Sequence, residues 1–288
     1  MSDYIIFTDS GCDIAVPAVT EMGARHLNLK FSFEGENVSH TVEDVDHKEF
    51  YDSMRAGRVA RTAALNIGDF RAAFSEELEK GNDVFYLAFS SGLSSTFSSA
   101  LAAAEELMEE YPQRRVIAVD SLSASAGHGL LLYLAVRKKN EGASIDELKE
   151  YCEGIRLNVC HWFTVDDLVY LKRGGRVSAA TALAGTVLGI KPILHVDDEG
   201  HLINMSKVRG RKAAIKALAD KLGETRDPKI DGTVFISHAD CQEDAETLAK
   251  ILKEQYGVKA DLITNIGPVI GAHSGPGTLA LFFLGNQR

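Results

Sequence analysis

Five serines and one threonine fall between Ser90 and Ser98, in the run Ser90-Ser91-Gly92-Leu93-Ser94-Ser95-Thr96-Phe97-Ser98. The run follows an apolar stretch over 84–89 and precedes a helical pattern, so hydroxyls and free backbone amides converge on a helix N-terminus. That end of a helix carries a partial positive charge and attracts anions. A single N-capping hydroxyl is the ordinary reason for a serine here, yet a cap uses one side chain and the run supplies six. The donors are uncharged, which suits a carboxylate or a phosphate.

A second segment, Gly267-Pro268-Val269-Ile270-Gly271-Ala272-His273-Ser274-Gly275-Pro276-Gly277-Thr278, is dense in glycine, and glycine lets a backbone approach a ligand closely. His273 lies among small residues; its imidazole donates to an anion, shuttles a proton, or is a satisfied structural histidine. In a third segment, Leu168-Val169-Tyr170-Leu171-Lys172-Arg173-Gly174-Gly175-Arg176-Val177-Ser178, the pattern is a helix ending in basic residues and a glycine, with Ser178 capping the next helix. The guanidinium of Arg173 also has the forked geometry to clamp a carboxylate if it turns into a cleft.

Other polar points are weaker. Asp9 and Asp13 either bind a metal or close a turn, and the turn is favoured. Asp120-Ser121 and Thr62 stand at the ends of elements, where an α/β protein places its ligand. The sequence contains no G-x-S-x-G elbow, no G-x-x-x-x-G-K-[ST] loop, no G-x-G-x-x-G fingerprint and no H-E-x-x-H pair. A serine–histidine acyl-transfer pair would need an acidic partner, and none is identifiable. A binding protein without catalysis is therefore expected, while a small-molecule enzyme or sensor taking an acyl or phosphate ligand in the same cleft stays open.

Composition narrows the partners. Across 288 residues the formal net charge is −10, which opposes the counterion release that drives nucleic-acid binding. Hydrophobic residues at 45% supply ample core. The four cysteines are scattered, without zinc-ligand spacing, and read as reduced thiols; neither a metal nor a cofactor is expected. Met1 to Phe7 runs straight into a strand pattern without a signal-like segment, and no apolar stretch is long enough to span a bilayer, which predicts a cytoplasmic protein. Nothing in the pattern fixes whether the chain forms a homo-oligomer.

The elements that must position these residues alternate. Strand-like runs at 4–8, 84–89, 116–119, 159–164, 190–196, 232–237 and 259–263 are separated for the most part by helical periodicity at 70–80, 96–111, 129–141, 145–156, 209–222 and 243–256. This predicts an α/β fold of two lobes, with mainly parallel sheets covered by helices and a ligand cleft between or within them. Residues 27–41 break the pattern with short alternating pieces, an antiparallel arm over a cleft. The charged helix before residue 159 sets the expected lobes at 1–158 and 159–288.

Thr8-Asp9-Ser10 with Asp13, Ser91-Gly92-Leu93-Ser94-Ser95-Thr96, Val119-Asp120-Ser121, Leu171-Lys172-Arg173-Gly174-Gly175-Arg176, Ile190-Lys191-Pro192-Ile193-Leu194 and Gly271-Ala272-His273-Ser274-Gly275-Pro276-Gly277 together resemble the DegV family, in order along nearly the whole chain. The resemblance implies a long-chain fatty acid as the bound ligand. It also implies a partner, a separate ATP-dependent kinase subunit to which the acyl carboxylate is presented. Carried over by motif, the head-group contacts fall on Ser94 first, then Ser91, with Thr62, Arg173 and His273. Two departures are visible: the family's Thr-Ser-Gln-Pro is Thr62-Ala63-Ala64-Leu65 here, and Ser95 replaces a glycine, adding a side chain to the ligand-binding loop. The small side chains over 100–104 and 179–188 are expected either to wall the acyl chain or to pack helices closely.

Overall fold

The first apolar run forms β1 (Tyr4–Asp9), followed by a 3-10 turn over Ser10–Cys12 and α1 (Val16–Glu21). β2 (Ala24–Leu27), β3 (Lys30–Phe33), α2 (His47–Arg55) and β4 (Ala60–Ala63) come next. The first half is completed by α3 (Ile67–Glu79), β5 (Asp83–Ala88), α4 (Thr96–Glu110), β6 (Val116–Asp120), α5 (Ala126–Asn140) and α6 (Ile145–Ile155). The second half opens with β7 (Val159–Thr164), α7 (Val169–Arg173), β8 (Ile190–Val196), β9 (Leu202–Arg209) and α8 (Arg211–Thr225). It closes with β10 (Val234–His238), α9 (Gln242–Tyr256), β11 (Leu262–Asn265), α10 (Pro268–Ser274) and β12 (Leu279–Leu284). The computed structural model describes residues 3–177, 189–227, 229–286 and 288; the predicted wall over 179–188 and the predicted cap Ser178 lie outside them.

The α/β expectation holds, with two large sheets, helices on their faces and a two-stranded sheet of β3 and β4. In the first sheet, ordered β2-β1-β5-β6, every pair is parallel. The second sheet, ordered β11-β10-β12-β7-β8-β9, is parallel only between β10 and β11. The expected parallel pairing thus describes the first sheet, while the second is mainly antiparallel. The cause is local: β8 and β9 form a hairpin through the turn at 197–201, and α10 reverses the chain before β12. β9 escapes the apolar pattern because it is an edge strand carrying Lys207 and Arg209, which discourage pairing with another chain. The predicted arm is β3, paired antiparallel with β4 and bridged to His40.

Between the sheets lies α5. Leu130, Leu131, Leu132 and Leu134 are all fully buried and the stripe with Tyr133 and Arg137 faces solvent, the mark of a helix held between two layers. It packs on the Ser10–Cys12 turn and α6 in the first half and on β7, β10 and β12 in the second. One hydrophobic cluster accordingly joins Ile6 and Leu87 to Phe163, Phe235 and Phe282. Truncating any of these leucines to alanine would cost about 2–5 kcal/mol. The other faces are covered by α3 and α4 on the first sheet and by α8 and α9 on the second. The alanines over 100–104 do not wall a ligand: Ala100, Ala103 and Ala104 sit in a separate cluster with Phe70, Phe74 and Tyr86, where α4 lies against α3.

Candidate functional site

β4 of the arm, the serine run before α4, the turn after α7, and α10 converge on a cavity of about 260 Å³ with walls from both halves of the chain. Its lining is predominantly apolar, with Leu29, Phe89 and Leu93 from the first half and Phe163, Val269 and Phe282 from the second. Several polar side chains gather at one end. Thr62, Arg176 and His273 line the cavity there and also line a smaller adjoining depression of about 130 Å³.

The hydroxyl of Thr62 and Nε2 of His273 are hydrogen-bonded at 2.8 Å, so the arm is tied to α10. His273 Nδ1 is buried without a hydrogen-bond partner. Burial first, and then the positive charge of Arg176, hold the imidazole down to about 4, leaving it neutral at pH 7. Gly174 makes room for the ring, since a Cβ there would collide with His273 Nδ1. Across the cavity Ser95 takes the N-cap position of α4 without making a capping bond. Ser94 Oγ instead accepts from the Thr96 amide at 3.2 Å and pairs with the Thr96 hydroxyl at 2.8 Å. The serine run is held from the other half of the chain, where Ser90 Oγ donates to the Gly200 carbonyl in the β8–β9 turn at 2.9 Å. Gly200 has φ +80°, and a side chain there would strike Ser90 Oγ.

Of the residues singled out by sequence, Thr62, Ser94, Ser95 and His273 are brought together on the cavity wall. Ser91 is not; its side chain is exposed, and its amide donates to Asp120 Oδ1 at 3.2 Å. Nor do Asp120 and Ser121 line it, because the Asp120 carboxylate is spent on the amides of Ser91 and Leu122. Asp9 closes a turn, accepting from Gly11 N, Phe89 N and the Tyr86 hydroxyl.

The basic residue in the cavity is Arg176, not Arg173. α7 ends in a Schellman turn: Gly175 (φ +70°) donates to the Lys172 carbonyl, and the amide of Arg176 returns to Leu171 O. That reversal carries Arg176 inward, where its Nε donates to Leu93 O at 3.2 Å. Arg173, one residue before the turn, is exposed over the Tyr170 ring and lines only the depression. The Gly174-Gly175 pair was the available signal, since it marks where the chain doubles back.

Two further lining residues, Ser125 and His161, carried no sequence motif. Ser125, with φ +53°, donates to buried Asp13 Oδ2 at 2.5 Å and is 2.9 Å from Ser237 Oγ. Asp13 Oδ1 accepts from Gly267 N at 2.8 Å, so the carboxyl ties the first half to the α10 loop while Ser125 reaches β10. Burial nonetheless pushes Asp13 up to about 7.

An apolar chamber with one guanidinium, two or three hydroxyls and a neutral imidazole at one end is chemically suited to an amphiphile with a single small anionic head. The sequence matches the family described as "uncharacterised protein, DegV family" over residues 4–286. The chain belongs to the DegV family. A DegV domain-containing protein of Clostridium perfringens is 43% identical over 289 residues, covering 100% of this chain and 99% of that one. Among solved DegV structures, a fatty-acid-binding family protein from Thermus thermophilus superposes with a TM-score of 0.86 at 27% identity, covering 98% of this chain and 99% of that one. DegV of Bacillus subtilis, a fatty acid binding protein, gives a TM-score of 0.83 at 30% identity over 99% of this chain and 100% of its own.

Proposed function

We propose that this DegV protein binds one long-chain fatty acid, with its tail along the apolar wall and its carboxylate among Thr62, Ser94, Arg176 and His273, with Ser95 beside them. The observation that carries the reading is the segregation of the lining: polar donors at one end, apolar side chains along most of the rest. Each buried methylene contributes about 0.8 kcal/mol, so the tail provides affinity while the head fixes orientation. Fatty-acid binding by the Thermus thermophilus and Bacillus subtilis relatives supports the same ligand class.

The protein's role is then to present the carboxylate to a separate ATP-dependent kinase subunit in the cytoplasm, which forms the acyl phosphate. The sequence has no nucleotide-binding loop, and the polar end of the cavity adjoins the depression that includes Arg173, which suits a head group offered outward. Residues 1–158 and 159–288 act as the two lobes enclosing the acyl chain.

The test is mass spectrometry of an organic extract beside native mass spectrometry of the purified chain. A long-chain fatty acid at near one per chain is expected; a protein that is empty and takes up no added fatty acid would overturn the reading. With ATP alone the chain should form no acyl phosphate, and turnover by the isolated chain would overturn the non-catalytic role.

A further inference from the structure

We infer that the apolar part of the cavity holds a second polar station, Ser125, that accepts a hydrogen bond from a hydroxyl carried on the acyl chain. This rests on the fatty-acid reading above and extends it to the substrate class: chains hydroxylated along their length.

Strand register places the station. Thr278, just before β12, and Ala280 and Phe282 within it line the cavity in succession. Thr278 lies by the polar end, its hydroxyl donating to the Ser274 carbonyl next to His273. His161 pairs with Phe282, and Ser237, the partner of Ser125, pairs with Ala280. At about 3.4 Å per residue the Ser125 level is about 7 Å beyond Thr278 and the His161 level about 14 Å, both down the tail.

The free lone pair of the station is on Ser125. His161 Nδ1 bonds the Val159 carbonyl at 2.8 Å, which makes Nδ1 the protonated nitrogen and Nε2 the acceptor. The one lone pair of Nε2 is taken by the Ala124 amide at 3.4 Å, so His161 is satisfied within the protein. Ser125 gives its one proton to Asp13 Oδ2, so Ser237 donates to Ser125, and one Ser125 lone pair is left. Gly127 keeps the first turn of α5 against the imidazole, because a Cβ there would collide with His161 Nε2. A hydroxyl satisfies the remaining Ser125 lone pair by donating its one proton; a ketone at the same carbon brings a second acceptor and no proton.

The experiment is a calorimetric titration of the full chain at about pH 8, where Asp13 is ionised, with octadecanoic acid, mid-chain hydroxyoctadecanoic acids and the matching oxo acids. The hydroxy acid at the right depth should bind at least as tightly as octadecanoic acid, and its oxo counterpart more weakly, by about tenfold. Ser125→Ala and Ser125→Gly should each lower the hydroxy-to-unsubstituted affinity ratio below one; two variants are used in case one does not fold, and glycine suits the φ of +53°. If every hydroxy acid binds more weakly than octadecanoic acid, or the oxo acid matches its hydroxy counterpart, the station is overturned and the fatty-acid reading stands. Failure of octadecanoic acid itself to bind overturns both.

Discussion

Thr62 and His273 are separated by 211 positions in sequence, yet their side chains meet at 2.8 Å and bind the arm to the short helix α10. The pair leaves His273 Nδ1 buried and unpartnered beside Arg176, so the polar end of the cavity has unused donor capacity.

Removing those donors should weaken fatty-acid binding unequally. Thr62→Ala and Ser94→Ala should each lose roughly tenfold in affinity, and Arg176→Ala more, because bonds to a charged group contribute about 1.5–3 kcal/mol. Arg173→Ala should stay within about threefold of the parent, as expected of an exposed charge. Displacement of a fluorescent fatty acid reads all four, and an Arg173 loss equal to that of Arg176 would reverse their assignment.

Acid should loosen the fold through its histidines. The folded His273 is held near 4, below its ordinary 6.5, and His195 is lowered to a similar value. A depressed group contributes stability above its unfolded pKa that is lost as pH falls towards the folded one. Tm measured downwards from pH 7 to 4 should carry that loss, and His273→Gln should remove its share of the slope. An unchanged slope in the variant would show that His273 is not the group responsible.

Asp13 works in the opposite direction. Its folded value of about 7 lies above the ordinary 3.8, so its contribution is fully present below about pH 4 and is lost as pH rises through 7. Asp13→Asn keeps an acceptor for the Gly267 amide and cannot ionise. The variant's Tm relative to the parent should therefore rise between pH 4 and 8, and a difference that is flat with pH would rule out this titration.

Gly174→Ala tests the packing around the imidazole. The backbone there, at φ −72°, accepts alanine, but the added Cβ collides with His273 Nδ1. Binding should fall about as far as in His273→Ala while Tm changes little, with the displaced ring visible in the histidine NMR signals. Full affinity in Gly174→Ala would mean that the ring position is immaterial.

Local pattern was enough for much of the fold and part of the site. Runs of apolar β-formers marked β7 and β8 at their observed limits, and the density of serine marked the loop that carries Ser94 and Ser95. Less legible were features created by long-range geometry. Arg176 and Arg173 have the same composition around them, and only the left-handed turn at Gly175 decides which faces the cavity. Ser125 and His161 sit among ordinary helix and strand residues, and they acquire meaning only when the second sheet brings β10 and β7 against α5. β9 was hidden because an exposed edge strand needs little hydrophobic signal.

The enclosure of α5 has a thermodynamic consequence. Pulling the halves apart would strip a leucine-rich helix of its partners on both sides, so neither sheet retains a complete core once the other melts. Denaturation should therefore be cooperative across both sheets, with one calorimetric transition where two loosely joined domains would give two.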